Sequence, residues 1–95
     1  VKIKIIDVWA EWCAPCKKFT PIFHALEEKY PDIEFVKVNV DEDSSLLREF
    51  NIRGIPAIIF LVDGSVVRTH IGILSMGQME QHISDLLYGE SVYTN

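Results

Sequence analysis

The chain has 95 residues, of which 48% are hydrophobic and 24% charged, and a formal net charge of -5. These proportions fit one globular domain, residues 1–95, and exclude a disordered, collagen-like or low-complexity chain. The acidic balance argues against nucleic acid or an anionic membrane surface as a partner, and no apolar run approaches the roughly 20 residues that span a bilayer.

Val1-Lys2-Ile3-Lys4 shows no signal-peptide core. Residues 3–9, Ile-Lys-Ile-Ile-Asp-Val-Trp, form a β-rich apolar run typical of a buried strand, interrupted by Asp7. Ala10-Glu11-Trp12 leads into Cys13-Ala14-Pro15-Cys16. Phe19, Ile22, Phe23, Leu26 and Tyr30 then recur at helical spacing. Pro15 falls in the first turn, where helices accept proline, whereas Pro21 lies inside and is expected to kink the helix. Pro31-Asp32 closes the segment.

Residues 33–40 read as a second strand with imperfect alternation. Asp41-Glu42-Asp43 is an acidic turn and helix cap, and Leu46, Leu47 and Phe50 make one face of a short helix. Residues 57–62 are the third strand; Asp63-Gly64 is a two-residue hairpin signal, and Ser65 to Ile71 supplies the fourth strand. Ser75 with Gln78 reads as a capping box ahead of a last amphipathic helix carrying Met79, Ile83, Leu86 and Leu87. Residues 89–95 read as a polar tail. The three histidines and the acidic run read as surface groups, and Met76 and Met79 as helix packing.

The order βα-βα-ββα makes the first two strands parallel, joined by a right-handed crossover helix, and the last two an antiparallel hairpin. The expected fold is therefore α/β: a four-stranded mixed sheet, order 2-1-3-4, flanked by three helices.

Two cysteines are too few for a disulfide-stapled mini-protein, and a bridge across three positions constrains the unfolded chain little. The pair calls for a chemical reading. A Cys-x-x-Cys that opens a helix after a buried strand is a redox signature. The first helical turn carries unpaired N–H groups and partial positive charge, which stabilise a thiolate and lower its pKa from about 8.5 toward 7. Cys13, at the helix entry, is the expected nucleophile; Cys16, one turn in, is placed to resolve a mixed disulfide. A structural zinc site needs four ligands, and His24, His70 and His82 offer no second paired spacing. Haem attachment needs His after the second Cys, where Lys17 stands. No metal site is expected.

Val8-Trp9-Ala10-Glu11-Trp12-Cys13-Ala14-Pro15-Cys16-Lys17 resembles the active-site segment of the thioredoxin family. Further matches follow in order over residues 3 to 88. Asp7 matches the family's buried aspartate, Pro21 its helix proline, and Lys37 the lysine beside that aspartate. Gly54-Ile55-Pro56 matches the loop whose proline is cis, and Gly72 the glycine of the substrate groove. The resemblance implies a thioredoxin-like fold and a thiol–disulfide oxidoreductase that reduces protein disulfides. Cys13 and Cys16 would exchange with substrate and end as a disulfide, with Asp7 taking or giving the Cys16 proton through a water and Lys37 as the charge partner of Asp7. Trp12, Ala14, Pro15, Ile55, Pro56 and Gly72 would form the substrate-binding surface. It further implies no metal or organic cofactor, an NADPH-dependent flavoprotein reductase as electron source, a cytoplasmic location and a monomer.

The sequence departs from the family pattern in two ways. Ala14 stands where Gly is usual and favours the helix by up to about 1 kcal/mol, so the family's redox potential does not carry over. The strand and helix that usually come first are not in the sequence. Residues 33–40 are therefore expected at a sheet edge, where an edge-strand dimer is one outcome. A natural minimal form, a truncated one and an edge covered by a partner all fit this. Other functions fit the same residues: an extracytoplasmic disulfide oxidase or isomerase, a cytochrome-maturation reductase, and a thioredoxin-fold binding subunit.

Overall fold

The structure is a computed structural model that describes residues 1–89. Its elements are β1 (Ile3–Trp9), α1 (Ala14–Lys29), β2 (Glu34–Asn39), α2 (Ser45–Glu49), β3 (Ala57–Val62), β4 (Ser65–Ile71) and α3 (Met76–Tyr88). The sheet order is β2-β1-β3-β4, with β1 parallel to β2 and β3 antiparallel to both β1 and β4. This is the mixed sheet with three helices that the element order implies.

Alternation along β1 decides what lies on each face. Ile3 and Ile5 join Ile58 and Phe60 of β3 against Phe19, Phe23 and Leu26 of α1 and Met79 and Ile83 of α3. Ile6 and Val8 point the other way, with Ala57, Ile59 and Leu61, and meet Leu46, Leu47 and Phe50 around α2. Each large side chain fully buried in these layers contributes about 1.5–3 kcal/mol. Asp7 shares the parity of Ile3 and Ile5, so it lies in the layer covered by α1, where it is wholly buried.

Local signals set the boundaries. α1 continues through Pro21 to Lys29, with Tyr30 as its C-cap. Asp63 and Gly64 both have positive φ, 52° and 87°, as a tight hairpin matched to sheet twist requires. Asp63 also exchanges bonds with Lys2: its N–H donates to the Lys2 carbonyl at 2.8 Å, and its Oδ1 accepts the Lys2 N–H at 2.9 Å. The Ser75–Gln78 capping box is complete.

Several expectations need correction. β2 is shorter than residues 33–40: Ile33 is buried outside the ladder, and beyond the strand Val40 donates to the Trp9 carbonyl. The cap of α2 is shared. Ser44 holds the N-cap position without a side-chain bond, while Asp43 Oδ1 accepts the Ser45 N–H. Leu87 is exposed, because it lies beyond the stripe of Met79, Ile83 and Leu86 near the helix end. His82 is no plain surface group, since its ring packs 5.0 Å from that of Phe60 and its Nδ1 lies 2.6 Å from Arg68 Nη1. Gly89 caps α3; the rest of the expected polar tail, 90–95, lies outside the described residues.

Candidate active site

Cys13 is the N-cap of α1, in extended conformation, and Ala14 and Pro15 begin the helix. The Cys16 backbone N–H donates to Cys13 Sγ at 3.2 Å, so the first turn points a donor at the sulfur. Cys13 and Cys16 form a disulfide with their Cα atoms 5.2 Å apart. Cys13 keeps 6% of its surface accessible and Cys16 none, so an incoming group meets Cys13 first.

Two loops from the same end of the sheet border this sulfur. The Ile55 carbonyl oxygen lies 3.9 Å from Cys13 Sγ, and the Ile55–Pro56 peptide bond is cis. Gly72, at φ 106°, donates its N–H to the Pro56 carbonyl at 2.7 Å and so ties the end of β4 to that loop. On the other side Trp12 is 69% exposed, and its Nε1 donates to Asp41 Oδ2 at 3.0 Å. A cavity of about 390 Å³ opens between Trp12 and Ile55, lined also by Val40, Leu47, Ile52, Arg53 and Gly54. Ala14 and Pro15 are exposed beside Cys13.

On the sheet face covered by α1 lies a buried carboxyl, Asp7. Neither Asp7 carboxylate oxygen has a hydrogen-bond partner. Lys37, directly opposite Asp7 in the β1–β2 register, places its Nζ 3.8 Å from Asp7 Oδ2. Burial pushes the Asp7 carboxyl up to about 6, and the Lys37 charge offsets only part of that rise. The ammonium donates instead to Thr20 Oγ1 at 2.7 Å and sits 4.5 Å from the centre of the Trp9 ring. Thr20 in turn donates to the Cys16 carbonyl at 3.2 Å.

The structure thus sets the Ile55 carbonyl against the Cys13 sulfur, ties Gly72 to Pro56, leaves Trp12, Ala14 and Pro15 exposed next to Cys13 in the chain, and links Lys37 to the Cys16 turn through Thr20, with Asp7 opposite Lys37. Sequence reasoning passed over two residues. Asp41 reads from the sequence as a surface group, but its carboxylate accepts the Trp12 indole N–H. The signal was topological: β1 and β2 are parallel and end together at Trp9 and Asn39, which brings the segments after them side by side. Thr20 stands one turn after Cys16, the spacing at which a hydroxyl reaches back to a helical carbonyl. Among the described residues no group of three or more His, Cys, Asp or Glu could hold a metal ion, and no helix is long and apolar enough to cross a membrane.

The thioredoxin family model matches residues 1–85. The chain belongs to the thioredoxin family. It is 36% identical over 77 residues to a thioredoxin of Mycoplasmoides gallisepticum, covering 81% of this chain and 77% of that protein. Mitochondrial thioredoxin 3 of Saccharomyces cerevisiae, in its oxidised form, superposes with a TM-score of 0.81 at 33% identity, covering 88% of this chain and 78% of the other. A mutant thioredoxin of Halobacterium salinarum gives 0.83 at 27%, covering 88% and 74%. The Cys13–Cys16 pair at a helix N-terminus is accordingly the redox-active centre of a thioredoxin-type protein-disulfide oxidoreductase.

Proposed function

We propose that this thioredoxin-family chain works as a reductant of protein disulfides. In its dithiol form the Cys13 thiolate attacks one sulfur of a substrate disulfide, and the other substrate sulfur leaves as a thiolate. Cys16 gives its proton to Asp7 and attacks Cys13 Sγ. The second substrate thiolate leaves; Asp7 gives up the Cys16 proton again, and the two substrate thiolates take up that proton and one from water. The substrate gains two electrons and two protons, and the chain ends as the Cys13–Cys16 disulfide. No metal or organic cofactor enters the cycle. Electrons would return from an NADPH-dependent flavoprotein reductase, the chain acting as a cytoplasmic monomer. Trp12, Ile55, Pro56 and Gly72 would hold an extended substrate segment beside Cys13, with Ala14 and Pro15 at its margin.

The observation that carries the exchange chemistry is the Cys16 N–H held 3.2 Å from Cys13 Sγ, because it favours negative charge on the outer sulfur and so makes Cys13 the attacking group. An Asp7 carboxyl raised to about 6 supports the proton role, since a base works best when its pKa lies near the working pH. The test is the reduction potential of the couple, measured by equilibration with a thiol buffer and read by Trp fluorescence. A value near about -270 mV is expected of a reductase. A value near about -180 mV or above would replace this reading with an extracytoplasmic oxidase or isomerase.

A further inference from the structure

Lys37 stands between two acceptors and bonds to the weaker one. Its ammonium lies 2.7 Å from the neutral Thr20 hydroxyl and 3.8 Å from the Asp7 carboxylate, beyond hydrogen-bond reach of the latter. A charge-assisted bond to carboxylate is ordinarily about twice as strong as a neutral one. Here the carboxylate has both oxygens unpartnered in the interior. The ammonium thus directs its hydrogen bond to the hydroxyl while the carboxylate stands unbonded beside it. Thr20 is itself anchored by its bond to the Cys16 carbonyl, so the position of Lys37 is set by the helical turn that carries Cys16.

The surroundings of Asp7 add no competing charge close by. β3 pairs Ile58 with it, β2 pairs Lys37 with it, and α1 supplies Thr20 as the partner of that ammonium. A cavity of about 260 Å³, lined by Trp9, Glu11, Lys17, Thr20 and Lys37, opens on the far side of the ammonium. Glu11 and Lys17 pair with each other at 3.7 Å and are exposed.

We infer that Thr20 is a positioning residue: its hydroxyl draws the Lys37 ammonium off Asp7 and so leaves that carboxyl free to exchange a proton with Cys16. The inference rests on the proton role proposed for Asp7, and it adds a residue that touches neither the substrate nor the reacting sulfurs. Loss of the hydroxyl leaves the Asp7 carboxylate as the nearest acceptor for the ammonium. A direct bond then favours the charged carboxylate and makes it a weaker base.

The experiment is a titration of the Asp7 side-chain carboxyl by carbon NMR in the oxidised protein, for the parent and for Thr20→Val, Thr20→Ser and Thr20→Ala. Thr20→Val keeps the shape without the acceptor and is expected to move the midpoint down by about one pH unit. Thr20→Ala should move it the same way, and Thr20→Ser should restore it. In a Lys37→Met background Thr20→Val should leave the midpoint in place. An unmoved or raised midpoint in Thr20→Val, or a shift that persists without Lys37, overturns the inference. The rate of mixed-disulfide resolution, followed against pH, is expected to fall about threefold at neutral pH in Thr20→Val and to recover in Thr20→Ser. A midpoint that moves while that rate and its pH profile stay unchanged would uphold the placement of Lys37 by Thr20 and remove the proton role of Asp7. The two failures are thereby told apart.

Discussion

The Cys16 backbone N–H aims at Cys13 Sγ from 3.2 Å, so the inner cysteine helps to set the charge state of the outer one through its backbone. In the dithiol form this donor and the helix N-terminus favour a thiolate on Cys13, whereas Cys16 is enclosed. Brief iodoacetamide treatment of the reduced protein at neutral pH should therefore alkylate Cys13 at least about tenfold faster than Cys16. Peptide mass spectrometry reads the ratio directly. Cys13→Ser should abolish reaction with substrate disulfides, while Cys16→Ser should accumulate mixed disulfides on Cys13. Equal alkylation of the two cysteines, or turnover by Cys16→Ser, would reverse the assignment.

Asp7 makes stability depend on pH. Its carboxyl is raised to about 6 in the folded chain, from an ordinary value of 3.8. Between those values the folded state binds more protons than the unfolded one, so stability falls as pH rises through that window and stays lower above it. One pH unit is worth about 1.4 kcal/mol, which puts the full cost at about 3 kcal/mol at pH 7 and above. Asp7→Asn should thus stabilise the oxidised protein by that order above pH 6, the advantage fading as pH falls toward about 4. Urea unfolding at several pH values measures it. A variant that is less stable than the parent at pH 8 would show that Lys37 already compensates the buried charge.

Strand and helix periods were legible because β1 and β3 are near-continuous apolar runs and α1 and α3 carry clean stripes. The cysteine pair was legible because its chemistry depends on spacing and on a helix start, both local properties. Asp41 and Thr20 were not, because each acts through a partner far along the chain. Asp41 meets Trp12 across 29 positions, and Thr20 meets Lys37 across 17. Such pairs follow from strand register, which a single sequence states only indirectly. Leu87 shows the converse limit: a helical rhythm marks which residues suit a core, and the helix end decides whether one gets there.

The Trp12–Asp41 bond lies at the surface, so its loss should affect recognition more than folding. Asp41→Ala removes the acceptor for the indole N–H and frees a ring that is 69% exposed. Stability should change by no more than about 1 kcal/mol. With a protein disulfide as substrate, kcat/KM should drop about fivefold, equivalent to about 1 kcal/mol of lost transition-state stabilisation. Reaction with a small disulfide, which needs no docking surface, should be unaffected. An equal drop for both substrates would locate the effect at the cysteines instead.

Gly72 and Gly64 separate backbone strain from substrate recognition. Both have positive φ, 106° and 87°, and a methyl group added at either meets no atom closer than 4.0 Å. Replacement by Ala should therefore cost conformational strain alone, about 1–3 kcal/mol at each site. Gly64 turns the hairpin, far from the cysteines along β3 and β4, whereas the Gly72 N–H holds the Pro56 carbonyl at 2.7 Å beside Cys13. Gly64→Ala should lower Tm and leave kcat/KM for a protein disulfide near that of the parent. Gly72→Ala should lower Tm comparably and also raise KM, because relief of the strain shifts the segment that positions Pro56. Thermal unfolding and steady-state kinetics on the two variants decide it. Matching losses of stability with matching KM values would reduce Gly72 to a turn residue and leave the substrate surface to Trp12, Ile55 and Pro56.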